Sequence, residues 1–290
     1  MIYTLTMNPA IDYIMSVPAL ARGEVNRSES QRFSIAGKGV NVSRELKNMG
    51  VDSVAVCLCG QGYTGERFTR LLHSHNLESV IIPVPDCDTR INVKICKKEE
   101  DGITEINGNF FADESAAGAV EKKLRELRKG DILIIGGSLP DGIPGDFYAK
   151  IACELSQKGV LVIADTSGDS LREIVKSSVP FMLKPNQQEL GELFCVRIES
   201  FEDAIVYGRK TGCNALVSMG EKGAVFVTSD DAYVCYAPKQ LKGYTVGAGD
   251  ALLAGFTAEY IQSEDCEKAL IAGVHSATDY IEGHIHGSAL

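Results

Sequence analysis

Residues 132–165 read ILIIGGSLPDGIPGDFYAKIACELSQKGVLVIAD. An apolar, β-branched run (ILIIGG, 132–137) passes through Gly- and Pro-marked turns into a helical pattern near 145–157, and a second apolar run (VLVIAD, 160–165) follows. Strand, covering helix and strand in so short a span make a βαβ unit, and such units build parallel sheets. Working outward, apolar runs recur at IYTLTM (2–7), VAVCLC (54–59), FMLK (181–184) and ALVSMG (215–220). Helical patterns fall near 39–50, 64–75, 113–128, 187–195, 201–212, 248–262 and 265–282. The chain therefore reads as α/β, with a mostly parallel sheet covered by helices.

Two segments break the rhythm. IDYIMSV with SQRFSI, within 11–35, and TRINVKICKK with GITEING, within 89–108, alternate polar and apolar residues with no helix between. They read as hairpins of a small antiparallel β lid, contributed by about 12–35 and 89–108, that could close over a site on the main sheet. With 290 residues and 44% apolar content the chain can bury a large core, and no linker divides it, so residues 1–290 read as a single domain.

The formal charge is −10, and no long basic run offsets it. A polyanionic backbone would be repelled, which excludes nucleic acid as a partner; a small anion remains open, since a few cations in a cleft override the net charge locally. The start, MIYTLTMNPAIDYIMSV, lacks the features of a secretory signal, and polar residues break every apolar stretch short of about 18. A cytoplasmic protein with no membrane partner is expected. The nine Cys, with no C-x-x-C pair, read as reduced and mostly buried thiols.

The sharpest local feature is TVGAGDALLAGF, 245–256. Gly247, Ala248 and Gly249 would place three amides at a helix N-terminus, an anion hole with the carboxylate of Asp250 beside it. Such a carboxylate can accept a hydroxyl proton while the amides steady a transferring phosphoryl group. The plain alternative is a Gly-rich turn with Asp250 as N-cap. In AGKGVNVSREL (36–46), Gly37 and Gly39 let backbone approach a ligand, Lys38 supplies a cation, and Asn41 can both donate and accept; the alternative is a helix-capping turn. In KPNQQELGEL (184–193), Asn186 and Glu189 stand three apart, and a capping box explains them without any ligand, although Glu189 could also face a hydrated Mg²⁺.

GQGYTG (60–65) is a literal G-x-G-x-x-G between a strand and a helix, the dinucleotide-binding fingerprint. Glu78 precedes the next apolar run instead of ending it, so the motif reads as a Gly-rich loop near the ligand site, with an NAD-dependent oxidoreductase as the rival. The pairs His73/His75 and His284/His286 lack further ligands nearby and read as surface histidines, and His275 as a structural one.

Taken together and in order, AGKGVN, KPNQQE, SMGEKG (218–223) and TVGAGD resemble the signature set of PfkB-type carbohydrate kinases of the ribokinase superfamily. NPAIDY (8–13), VNR (25–27), TRINVK (89–94), TEING (104–108), GGSLPDGIP (136–144) and DTSGDSL (165–171) are most similar to 1-phosphofructokinases and tagatose-6-phosphate kinases. The resemblance implies a ribokinase-like three-layer core, a β lid that forms a homodimer, and use of ATP and Mg²⁺. It implies that Asp12, Gly37, Lys38, Gly39, Asn41 and Ser138 hold the sugar, with Arg27, Lys38 and Arg90 on its phosphate. Lys184, Asn186, Ser218, Gly220 and Gly223 would lie along the nucleotide, Glu189 would assist the metal, and Gly247, Ala248 and Gly249 would form the anion hole beside Asp250. The reaction implied is phosphorylation of a ketohexose monophosphate, fructose 1-phosphate before tagatose 6-phosphate. A non-catalytic sugar-phosphate binding protein on the same fold is the alternative of a different class.

Overall fold

The computed structural model describes residues 1–97, 103–177, 179–238 and 246–285; lid residues 98–102, Thr245 of the TVGAGD motif and His286 lie outside the described residues. In chain order the strands are β1 (Ile2–Thr6), β2 (Ala10–Val17), β3 (Ser30–Ala36), β4 (Ser53–Gly60), β5 (Glu78–Val84), β6 (Arg90–Lys97), β7 (Ile103–Asn107), β8 (Ile132–Gly136), β9 (Leu161–Asp165), β10 (Met182–Leu183), β11 (Asn214–Ser218), β12 (Gly223–Val227) and β13 (Ala232–Tyr236). The helices are α1 (Lys38–Asn48), α2 (Tyr63–Ser74), α3 (Glu114–Leu124), α4 (Phe147–Gln157), α5 (Gly168–Ser177), α6 (Gln187–Phe194), α7 (Phe201–Arg209), α8 (Ala248–Ser263) and α9 (Cys266–Ile285).

The main sheet has the order β13-β12-β11-β10-β9-β8-β1-β4-β5 and is parallel except at β12 and β13. Its central strands are apolar on both faces because both are covered. Leu133 and Ile135 of β8 pack with Val120, Ile151 and Ile174 of α3, α4 and α5, while Ile132 and Ile134 pack with Leu46 and Leu253 of α1 and α8. Continuous apolar runs such as ILII follow from burial on two sides. Helix α8 is apolar nearly all round, since it lies between the sheet and α9, with Phe256 against Phe226 at 4.9 Å.

The second sheet, β3-β2-β6-β7, is the lid. Its outer pairs are antiparallel hairpins, as the alternation implied, but the central pair β2/β6 is parallel and sets Asp12 beside Asn92. Alternation identifies a hairpin and is silent on how two hairpins meet. The lid is tied to the body through Phe33 of β3, which stacks on Tyr13 at 4.5 Å and lies 3.8 Å under the guanidinium of Arg67 on α2.

Three elements escaped the sequence reading. Helix α5 begins at a glycine with φ +60°, directly after a strand, and β12/β13 add an antiparallel hairpin to the sheet edge. All nine cysteines are free thiols, but Cys57 and Cys59 alone are fully buried and Cys195 is exposed. His275 is exposed on α9 instead of packed within it. No helix among the described residues is long and apolar enough to cross a membrane.

Candidate active site

A cavity of about 980 Å³ lies over the carboxyl ends of the parallel strands. Asn8 after β1, Gly136 at the end of β8, Asp165 at the end of β9, Lys184 after β10 and Ser218 at the end of β11 all line it. Open parallel sheets bind ligands at this edge, beside a strand where the direction of the crossovers reverses; here that strand is β1, with β4 on one side and β8 on the other. The lid contributes Asp12, Arg90, Asn92 and Lys94 to one wall, and the N-terminal turns of α1, α6 and α8 contribute Lys38, Gln187 and Ala248.

Gly247 caps α8 with φ +95°, and a Cβ there would strike the hydroxyl end of Tyr280. Its carbonyl accepts from the amides of Asp250 and Ala251, both at 3.0 Å, so those of Ala248 and Gly249 are not used by the helix. A side chain at Gly249 would stand 3.3 Å from Lys184 Nζ, which places that ammonium against the same helix end. Amides, helix dipole and lysine together favour an anion here.

Asp250 sits one turn into α8 and is 6% exposed. Its Oδ2 accepts from Asn41 Nδ2 at 2.8 Å. Burial, and then the nearby carboxylate of Asp165, push its pKa up to about 6, against the opposing donation from Asn41. A carboxylate tuned this way is a stronger base than an exposed aspartate and is still ionised at neutral pH.

Below it Asp165, fully buried, pairs with Lys38 Nζ at 2.7 Å and Lys184 Nζ at 3.2 Å. Burial would raise the Asp165 pKa, but the two ammonium groups outweigh it and hold the carboxyl below its usual range. Burial also opposes the charge on Lys38, yet Asp165 and Glu189, whose Oε1 lies at 3.8 Å, overcome it and keep the ammonium protonated.

On the lid wall Asp12 accepts from Asn92 Nδ2 at 3.0 Å and pairs with Lys94 Nζ at 2.7 Å. Arg90 is braced by three backbone carbonyls, donating to Asn8 at 3.1 Å, Gly108 at 3.3 Å and Pro9 at 3.4 Å. Its hydrogen-bond partners are carbonyls, and the Asp12 carboxylate, itself paired with Lys94, acts on it as a nearby charge; Arg90 lines the cavity.

The structure brings together Asp12, Gly37, Lys38, Asn41, Arg90, Ser138, Lys184, Asn186, Ser218, Gly220, Gly223, Gly247, Ala248, Gly249 and Asp250 on one cavity. Three residues of the sequence-based set are not on its surface. Arg27 is exposed in the turn joining β2 to β3. Gly39 is buried behind the wall, where a Cβ would meet Leu5 O at 2.7 Å. Glu189 forms the capping box of α6, Oε2 accepting from the Asn186 amide at 2.9 Å, and reaches the site only through Lys38. Asp165, Asn92 and Lys94 escaped the sequence reading. The signal for Asp165 was present: an acid closing the apolar strand LVIAD, at the sheet edge where ligands bind.

Gly60–Gly65 does not line the cavity, contrary to the placement of this loop near the ligand site. The start of α2 is filled by Asp88, whose Oδ1 accepts from the amide and hydroxyl of Thr64 at 3.1 and 3.0 Å. A carboxylate already occupies the place a pyrophosphate would need, which removes the dinucleotide reading. Among the described residues no group of His, Cys, Asp and Glu could by itself hold a metal ion.

Free amides at a helix start, a buried carboxylate and cations on both sides are an arrangement suited to group transfer between anionic substrates. Comparison with known proteins agrees. The profile described as pfkB family carbohydrate kinase matches residues 2–284, and the chain belongs to that family of ATP-dependent sugar kinases. It is 39% identical over 284 residues to a 1-phosphofructokinase of Bacillus subtilis, covering 96% of this chain and 91% of that one. It is 31% identical over 264 residues to a D-tagatose-1-phosphate kinase of Bacillus licheniformis, covering 89% and 85%. The structure of phosphofructokinase-2 from Escherichia coli in complex with fructose-6-phosphate superposes with a TM-score of 0.88 at 25% identity, over 98% of this chain and 99% of that one.

Proposed function

We propose that the chain transfers the γ-phosphoryl group of ATP to the free primary hydroxyl of a ketohexose monophosphate, fructose 1-phosphate first, giving fructose 1,6-bisphosphate. The observation that carries this reading is the placement of the Asp250 carboxylate beside the amides of Ala248 and Gly249, in a cavity whose lid wall presents Arg90. Asp250 accepts the hydroxyl proton as the new O–P bond forms. The Gly247–Gly249 turn and Lys184 take up charge on the transferring group. Arg90 and Lys38 hold the phosphate already on the sugar, while Asp12, Asn41 and Ser138 meet its hydroxyls.

The nucleotide fits the other end. Ser218, Gly220 and Gly223 lie along it with Asn186, and Val274, Ala277 and Ile281 of α9 offer an apolar wall to the base. Glu189 is the carboxylate we assign to a metal: it stands behind the cavity wall with Oε1 outside the capping box and 3.8 Å from Lys38, so it would meet a hydrated Mg²⁺ carried on the nucleotide phosphates only through water, and such an ion needs few protein carboxylates. Such an ion supplies charge neutralisation between the phosphates. We assign the protein to the cytoplasm, where its nucleotide is found, as a dimer through the lid, whose Ile91 and Ile106 are exposed.

A second reading replaces the acceptor with a tagatose phosphate, supported by the D-tagatose-1-phosphate kinase relative. Fructose and tagatose differ at one ring hydroxyl, and a site that pairs it can reject the epimer. The test is coupled ADP release with ATP and Mg²⁺ against the 1- and 6-phosphates of both ketoses. We expect kcat/KM for fructose 1-phosphate to exceed the others by about tenfold or more, roughly 1.4 kcal/mol. A preference for tagatose phosphates would move the acceptor; no ADP release with any of them would support a binding protein.

A further inference from the structure

We propose that Asp165 is a positioning residue that holds Lys38 and Lys184 as a two-armed cationic clamp around the path of the transferred phosphoryl group. The proposal rests on the phosphoryl-transfer reading above and goes beyond it in assigning a role to a carboxylate at the floor of the cavity to which that reading gives none.

Asp165 ends β9 at the floor of the cavity, is 0% exposed, and gives one oxygen to each lysine, Oδ1 to Lys38 at 2.7 Å and Oδ2 to Lys184 at 3.2 Å. The lysines reach it from separate elements. Lys38 opens α1, beside the sugar-facing Gly37, whereas Lys184 follows β10 and stands against Gly249 of the anion hole. One carboxylate thus fixes the distance between a cation on the acceptor side and a cation on the donor side. Lysine is a flexible point charge on a four-carbon stem, so without a fixed counter-ion neither ammonium has a defined position.

Stability alone does not account for the triad. Replacing a buried ion pair by apolar residues of similar size is often neutral or stabilising, because desolvation offsets much of the attraction. What an apolar replacement could not do is keep two ammonium groups aimed into the same cavity. Asp165 acts on the base as well, since its charge opposes ionisation of Asp250.

The test is a double-mutant cycle on Asp165→Asn and Lys184→Met, with ADP release as the readout. We expect Asp165→Asn to lower kcat by on the order of 10²-fold, and the double variant to be at least about tenfold faster than the product of the two single deficits requires, because the second substitution removes a group already misplaced by the first. The acid limb of kcat/KM should move to lower pH in Asp165→Asn, a change that a purely structural role would not cause. Deficits that multiply in full would overturn the proposal, as would a deficit abolished by raising Mg²⁺, which would assign Asp165 to the metal. Asp165→Asn leaves the buried Lys184 without its carboxylate partner and Lys38 with only Glu189 at 3.8 Å, so Lys38→Met/Asp165→Asn provides a second cycle with the charge reduced. Full additivity there overturns the proposal equally. If the wild-type chain releases no ADP with any ketose phosphate, the phosphoryl-transfer reading fails first.

Discussion

Asn41 Nδ2 donates to Asp250 Oδ2 across 2.8 Å, joining the first turn of α1 to the first turn of α8 over a separation of 209 residues. A donor to a carboxylate favours its charged form, so Asn41 holds the Asp250 pKa lower than burial and Asp165 would otherwise set it. Asn41→Ala should therefore move the acid limb of kcat/KM to higher pH. The acceptor phosphate has its own ionisation near pH 6, but that ionisation belongs to the substrate and does not move with the variant. An unchanged limb would remove Asn41 from the base's surroundings.

Asp250→Asn keeps the shape and removes the base. We expect kcat to fall by on the order of 10²-fold or more, with the fold retained. The sign of the stability change follows from the raised pKa. Between the usual 3.8 and about 6 the folded state binds more protons at Asp250 than the unfolded chain, so wild-type stability falls as pH rises through that window. The variant lacks this loss. Its Tm, relative to wild type, should rise between pH 4 and pH 7, and calorimetry across that range checks it.

Arg90→Ala should raise KM for the sugar phosphate far more than KM for ATP. Three carbonyls already hold the guanidinium in place, so little is lost in ordering it and each charge-assisted bond to phosphate is worth about 1.5–3 kcal/mol. Steady-state kinetics at fixed ionic strength separate the two constants. Equal rises would show that Arg90 does not serve the acceptor.

Gly247→Ala tests the anion hole through its backbone. The φ of +95° penalises any side chain, and the added Cβ would meet the Tyr280 hydroxyl. Strain of about 1–3 kcal/mol is expected, with kcat falling more than either KM because the turn is used most in the transition state. A lowered Tm with unchanged kcat would limit the glycine to a structural role.

The main sheet was legible because its strands are short, continuously apolar and separated by helices, as in 132–165. The site was legible in four short motifs, because glycines and charges at helix starts stand out from the patterns around them. The hidden parts were hidden for physical reasons. Asp165 makes its ion pairs with residues 127 and 19 positions away in the chain. Lys94 and Asn92 read as ordinary alternation in a lid strand, and only the parallel register with β2 turns them towards Asp12. Arg27, named on a motif, lies exposed in the turn joining β2 to β3, apart from the cavity of its own chain.

The strand order also dictates when, during synthesis on the ribosome, each capability is acquired. β1 sits at the middle of the sheet between β4 and β8, and the lid draws all its strands from the first 107 residues. Acceptor-facing groups on β2, α1 and β6 are thus made early. Asp250 and the amides of the anion hole come only with α8, which needs α9 to cover it. On the roles proposed above, a nascent chain ending short of α8 carries neither the base nor the anion-hole amides.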